Sequence, residues 1–348
     1  MNFTIYVLFV FILYFGSYLI VSSQGTAFGV GQLSSLITYG FMMLMSLMML
    51  SFVFAMIIIA EEGARRICEV LLATSTINNP EKPLTEVTDG SIDFENVGFS
   101  YSGPEGREAL SDVNLHINSG EVIGIIGGTG SAKSTLVQLI PRLYDVTCGS
   151  VSVGGHDVRE YDIDTLRSAV AMVLQKNVLF SGTIKENLLW GNPDATDEEI
   201  LEAARLAQAD SFVQTFPDKY ETHIEQGGNN VSGGQKQRLC IARALLRRPK
   251  VLILDDSTSA VDTKTDSLIR SGLKDFLPDT TKIIIAQRTS SIEESDKIIV
   301  LDNGRVNAIG THEELLKDNP IYREVYFSQN KQSVDENQSQ EGEVTSHE

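Results

Sequence analysis

No Asp, Glu, Lys or Arg occurs between Met1 and Ala60, although the 348-residue chain carries 28 basic and 46 acidic side chains. Within that span, Phe3–Val21 and Ser34–Ala60 are two nearly continuous apolar runs, separated by the polar, glycine-rich stretch from Ser22 to Gly31. A helix of about 20 residues rises about 30 Å, enough to cross a hydrocarbon core. Backbone groups in lipid must be satisfied within the segment, which selects helices. The two runs therefore predict a transmembrane helical hairpin. A secretory signal peptide is the alternative for the first run, but a basic n-region is missing and the first basic residues are Arg65 and Arg66. Those arginines follow the second run and predict that it ends in the cytoplasm, with the Gly25–Gly31 turn outside. Met42, Met43, Met45, Met48, Met49 and Met56 all lie in the second run. They suit packing against lipid or neighbouring helices, or else a cavity for an apolar substrate. Beyond Ala60 the pattern turns amphipathic through Glu61, Glu62, Arg65, Arg66 and Glu69, predicting a cytosolic extension that ends near Asn78–Pro83.

The rest of the chain reads as a globular domain. Ile92–Tyr101 and Val113–Ile117 alternate like strands of a half-exposed sheet. Val122–Ile126, Val251–Leu254, Ile283–Ala286 and Ile298–Leu301 are continuous apolar runs, as in strands buried on both faces of an α/β sheet. Helical patterns at Ser134–Leu143, Asp197–Ala207, Gln235–Leu246 and Thr263–Phe276 separate them. The layout is residues 1–78 in membrane helices with their extension, a linker at 79–90, a globular domain at 91–328 and an acidic tail at 329–348 whose composition predicts disorder. A net charge of −18 argues against nucleic acid as partner. Cys68, Cys148 and Cys240 are odd in number and scattered, which fits a reducing compartment rather than a disulfide framework.

Three elements carry chemistry. The strand Val122–Ile126 runs into Gly127, Gly128, Thr129, Gly130, Ser131, Ala132, Lys133, Ser134 and Thr135, with a helix starting at Lys133. Glycines admit close backbone approach, and amides at a helix start point at anionic oxygens. Lys133 is expected to reach the β- and γ-phosphates of ATP, and the Ser134 hydroxyl to bind Mg²⁺. The strict pattern has glycine where Ala132 stands, and a methyl group strains the turn if that position needs unusual dihedrals. Second, the strand Val251–Leu254 delivers Asp255 and Asp256 at its C-terminal end, where α/β sheets bind ligands, and Asp255 is the expected holder of Mg²⁺. Third, Val231 and Ser232 precede Gly233, Gly234 and Gln235 at the start of a helix. Ser232 is an N-cap type, and the glycines let amides approach a second phosphate. One loop already serves one nucleotide, so a second phosphate-facing helix start suggests a partner subunit. The histidines show no metal-ligand spacing, and Thr311–Leu315 reads as a helix start with favourable acidic residues.

Together these elements resemble the ATP-binding cassette (ABC) transporters of the exporter type, across nearly all of residues 1–328. Val231–Gln235 with Gln237 and Arg238 is similar to the family's signature motif. Tyr101 resembles the aromatic that stacks on adenine, Gln175 the Q-loop glutamine that contacts Mg²⁺, and Ser259–Asp262 the D-loop. The resemblance implies a RecA-like α/β core, an antiparallel β part and a helical subdomain at about Thr183–Leu246. It implies an ATP-binding and permease subunit exporting a hydrophobic or amphipathic compound, in the cell membrane and multi-pass, with the ATP-binding domain in the cytoplasm. The two N-terminal helices resemble the last two of the six in such a half-transporter, so the chain is expected to be a fragment or truncated product. Asp256 stands where the family has its general-base glutamate, and Gln287 where it has its switch histidine. An aspartate is shorter by about 1.5 Å, and a displacement near 1 Å can cost about a hundredfold in rate. Glutamine donates a hydrogen bond but cannot shuttle a proton as imidazole does. With Ala132, these departures resemble the degenerate-site subunit of a heterodimeric exporter, which binds ATP at its own loop and completes the competent site on a second half-transporter. The alternatives are a working Asp256, a purely regulatory nucleotide-binding subunit, and a non-transporting remnant.

Overall fold

The computed structural model describes residues 2–24, 26, 28–255 and 261–329. The expectations placed on Asp256, on Ser259 and Ala260, and on the acidic tail after its first residue lie outside these residues; that first residue, Gln329, ends a helix instead of being disordered. The chain divides into two compact units, Met1–Thr76 and Ile77–Glu348.

In the first unit, helix α1 (Asn2–Ser22) and helix α2 (Val30–Leu71) form the expected hairpin. Both are long and apolar enough to cross a membrane. Small residues let them approach: a Cβ at Gly16 would overlap the Leu33 side chain, and one at Gly40 would lie 3.7 Å from the Ile12 Cδ1. Helix α2 starts earlier than expected, because the Gln32 side chain accepts from the Gly29 amide at 2.8 Å and closes the first turn. It also ends earlier than Asn78. The run Ala73–Thr76 offers hydroxyl and β-branched side chains that compete with helical hydrogen bonding. Its charged stretch is laced by Glu62, which pairs with Arg65 at 2.8 Å and Arg66 at 3.3 Å.

The second unit begins with strands β1 (Ile92–Phe99), β2 (Leu110–Ile117) and β3 (Val122–Gly127), then helix α3 (Lys133–Leu139). Strands β4 (Cys148–Val153) and β5 (His156–Asp157) lead to helix α4 (Ile163–Ala169) and strand β6 (Val170–Val173). A mainly helical stretch follows: β7 (Gly182–Thr183), α5 (Ile184–Leu189), α6 (Asp197–Leu206), α7 (Asp210–Val213), β8 (His223–Ile224) and α8 (Gly233–Leu245). The chain closes with β9 (Val251–Asp255), α9 (Thr263–Phe276), β10 (Thr281–Ile285), β11 (Lys297–Asp302), β12 (Arg305–Gly310), α10 (His312–Asp318) and a further helix over 320–329.

The main sheet has the order β12-β11-β3-β10-β9-β6, with all neighbours parallel except the β11–β12 pair. Alternate residues of each strand feed two separate apolar clusters. Ile123, Ile125, Ile253, Ile283 and Ile285 face the antiparallel β2-β1-β4-β5 sheet and α3, while Ile126, Leu252, Leu254, Ile284 and Val300 face α5–α9. Burial on both faces is why these strands read as unbroken apolar runs. Helix α3 stops at Leu139 instead of Leu143, because Pro141 lacks an amide hydrogen and its ring clashes with the preceding turn. Residues 79–90, expected as a linker, are laid against the second unit. The Asn79 side chain donates to Asp162 Oδ1 at 2.6 Å and accepts from the Ile163 amide at 2.9 Å, and Leu84 bridges to Tyr161.

Candidate functional site

Four parallel strands deliver their C-terminal ends to one edge of the main sheet. Ile285 of β10 pairs with Ile125 of β3 on one side and with Asp255 of β9 on the other, and Val173 of β6 pairs with Leu254. Neighbouring strands lie about 4.8 Å apart. The loop from Gly127, the carboxylate of Asp255, the residues following β10 (Ala286 and Gln287) and those following β6 (Leu174 and Gln175) thus share one edge. Gln175 and Gln287 are exposed there. Asp255 is buried, with 7% of its surface accessible. Such a carboxylate requires a cation or hydrogen-bond donors beside it.

The loop is shaped by glycine where only glycine fits. A Cβ at Gly127 would overlap the Leu301 carbonyl of β11, so the chain leaves the sheet hard against its neighbour. Gly128 has open space above it, leaving its backbone accessible, and Gly130 takes φ +81°. Ala132, the N-cap of α3, stands at φ 69° and ψ 26°, in the left-handed region. The position therefore needs the unusual dihedrals, and its methyl group is held there against the cluster that includes Leu136 and Ile140. Lys133 Nζ donates to the Gly127 carbonyl at 2.7 Å, the Gly128 carbonyl at 2.9 Å and Ser131 Oγ at 3.4 Å. Its ammonium thus lies over the loop. Ser134 is exposed, while Ser131 and Thr135 are buried.

Tyr101 follows β1 and packs beside the loop's helix, its hydroxyl 3.0 Å from Thr135 Oγ1. Its ring meets Phe99 at 4.8 Å and Tyr144 at 5.2 Å, both edge-on, and 56% of Tyr101 is exposed. A flat aromatic face beside the phosphate loop suits a purine base. Tyr144 was not legible as part of this cluster: it follows the end of α3 in an irregular segment and carries no periodic signal.

The third element lies on α8, outside the main sheet. The Ser232 hydroxyl accepts from the Gln235 amide at 3.3 Å, and Gln235 Oε1 accepts from the Ser232 amide at 2.9 Å. This capping box leaves the first-turn amides of Gly233 and Gly234 pointing out of the helix start. Ser232 and Gly233 are exposed. Arg238 underlies the turn: it donates to the Gln208 carbonyl at 2.9 Å and sits 4.6 Å above the Phe212 ring. Burial pushes its guanidinium pKa down, partly offset by Asp262. Asp262, from the expected D-loop, caps α9, and the Thr265 backbone amide that it accepts from holds its carboxyl below the usual range.

The residues fit an ATP·Mg²⁺ pair. The loop offers backbone amides and an ammonium of the kind that hold phosphates, and Ser134, Asp255 and Gln175 are hard oxygen donors of the kind Mg²⁺ takes.

Residues 110–259 match the ABC transporter family. An uncharacterized ABC transporter ATP-binding protein of Mycobacterium bovis is 43% identical over 323 residues, 91% of this chain and 54% of the relative. A putative multidrug export ATP-binding/permease protein of Staphylococcus aureus is 44% identical over 245 residues, 70% of this chain and 42% of the relative. Among solved structures, a bacterial Atm1-family ABC exporter with ATP bound superposes with a TM-score of 0.73 at 33% identity, covering 86% of this chain and 53% of that one. The chain spans about half the length of the relatives it matches.

Proposed function

We propose that the chain, which matches the ABC transporter family over residues 110–259 and is similar to exporters of that family, is the ATP-binding and permease subunit of an exporter whose own nucleotide site is degenerate. The substrate class is a hydrophobic or amphipathic compound, the partner is a second, different half-transporter, and the ATP-binding domain faces the cytoplasm of a cell whose membrane holds α1 and α2.

In this reading Tyr101 stacks on adenine, the amides of the Gly127–Thr135 loop and Lys133 hold the phosphates, and Ser134, Asp255 and Gln175 hold Mg²⁺. The metal supplies neutralisation of the charge on the phosphate oxygens. Asp256 stands as base, about 1.5 Å short of a glutamate's reach. Gln287 donates a hydrogen bond toward the γ-phosphate without carrying a proton. Ser232 and the amides of Gly233 and Gly234 complete the partner's site.

The observation that supports the degenerate reading is Ala132 at φ 69°. A left-handed non-glycine residue costs roughly 1–2 kcal/mol. The loop therefore tolerates strain at the position that shapes its phosphate cradle, in line with Asp256 and Gln287. The test is ATP hydrolysis by the membrane complex, with the partner's own phosphate-loop lysine replaced so that only this site turns over. The double variant Asp256→Glu with Gln287→His is expected to raise the rate at least about tenfold, a conservative share of the hundredfold that a 1 Å displacement can cost. An unchanged rate defeats the degenerate reading.

A further inference from the structure

One side chain outside the proposed nucleotide site grips the loop after β10 at two points near its start. Gln329, on the helix over 320–329, accepts through Oε1 from the Thr289 amide at 2.9 Å and from the Thr289 hydroxyl at 3.2 Å. Its Nε2 donates to the Gln287 carbonyl at 2.7 Å. Backbone chemistry fixes which end of the amide is which, since an N–H can only donate and a C=O can only accept.

The helix that carries Gln329 is itself anchored. Tyr322 is fully buried, and its hydroxyl lies 2.7 Å from His312 Nδ1 of α10. Burial pushes the Tyr322 phenol up to about 12, so it stays neutral in this position. Its amide donates to the Asn319 side chain at 2.9 Å, which starts the helix. Residues three, four and seven apart share a helix face. Tyr322, Val325 and Gln329 therefore lie on one face, with Val325 packed against the apolar cluster that Tyr322 joins. That spacing aims Gln329 at the loop. A second brace holds the next turn: Arg270 of α9, paired with Asp266 at 3.1 Å, donates to the Ser291 carbonyl at 2.8 Å.

We propose that Gln329 is the positioning residue for Gln287. By spanning the Gln287 carbonyl and both donors of Thr289, it fixes the backbone from which the Gln287 side chain must reach a γ-phosphate. The C-terminal helix thereby sets how well this site tells a nucleoside triphosphate from a diphosphate. This rests on the reading of Gln287 as the residue facing the γ-phosphate.

The test uses the full chain in lipid nanodiscs and measures the affinities of ADP and of AMP-PNP, a non-hydrolysed ATP analogue. In Gln287→Ala the preference for AMP-PNP over ADP is expected to fall about tenfold, the worth of one charge-assisted hydrogen bond. In Gln329→Ala it falls by a similar factor, with ADP affinity within about twofold of the parent. Gln329→Glu keeps the acceptor for Thr289 and loses the donor to Gln287, and is expected to fall in between. A preference lowered in Gln287→Ala but unchanged in Gln329→Ala overturns the positioning role alone. A preference unchanged in Gln287→Ala overturns the reading of Gln287 and the positioning role with it. Equal losses of both nucleotides in Gln329→Ala mean that the residue only holds the fold, and overturn the proposal. Where Gln329→Ala does not fold, Gln329→Glu and Thr289→Val decide by the same ratio.

Discussion

Ala132 turns the chain from loop to helix with φ 69° and ψ 26°. Two terms of opposite sign decide what glycine would do there. Relief of the left-handed conformation is worth roughly 1–2 kcal/mol. Against it, glycine raises the entropy of the unfolded chain by about 0.4–1 kcal/mol. Ala132→Gly should therefore stabilise the domain by about 0.5–1 kcal/mol, a rise in Tm of roughly 1–3 °C. Calorimetry of the purified protein checks this, and a fall in Tm of that size means that the methyl group's packing against its apolar cluster outweighs the strain. At this scale the sequence marked Ala132 as a departure from a pattern, but the sign of its φ is a property of the turn and not of the residue. Gln329 was invisible for a similar reason. Its partners Gln287 and Thr289 lie far away in sequence, and as the first residue of the polar stretch read as a disordered tail it carries no periodic mark.

Among the elements, the buried strands were the most legible, since both faces of the main sheet are apolar and each run is unbroken. Strand β6 was missed because it follows α4 without a break, Ala169 running directly into Val170. Helix ends failed wherever local chemistry overrode the apolar pattern, as at Pro141 after α3 and at the hydroxyl run after α2. Helix α8 poses the sharper question, because its N-cap has two possible roles. The Ser232 hydroxyl caps the helix through the Gln235 amide at 3.3 Å, which is a sufficient structural reason for a serine. An aspartate serves as N-cap about as well as a serine. Ser232→Asp should therefore leave thermal stability within about 0.5 kcal/mol of the parent. In the proposed complex with a second half-transporter the same substitution sets a carboxylate where the partner's nucleotide phosphates are expected, and hydrolysis at that site should fall by at least about a hundredfold, since like charges at close range cost several kcal/mol. Full turnover with an unchanged Tm would leave Ser232 a helix cap and nothing more.

For the molecule as a whole, the charge boundary at Ala60 and the structural boundary at Thr76 are not the same, because α2 runs on through the charged stretch to Leu71. Composition marks where the solvent changes, whereas the units are set by where packing stops. Among the described residues, every member of the two apolar clusters lies between Leu84 and Val325, and none comes from the first unit. Residues 77–348 produced alone should therefore be soluble without detergent and unfold in one cooperative transition. The loop, Tyr101, Ser134 and Asp255 are all retained in that piece, so it should also keep a nucleotide site. Ligand at a hundredfold excess over its Kd stabilises by about 2.7 kcal/mol, which for a domain of this size raises Tm by roughly 5–8 °C. Lys133→Ala should remove most of that shift, and EDTA should reduce it, because Ser134 and Asp255 are then left without the cation that joins them to the phosphates. The mutant separates this specific site from general binding of an anion to an amide-rich loop, since the glycines remain intact in it. A fragment that aggregates, or whose Tm ignores ATP, would show that the second unit depends on the first despite its self-contained cores.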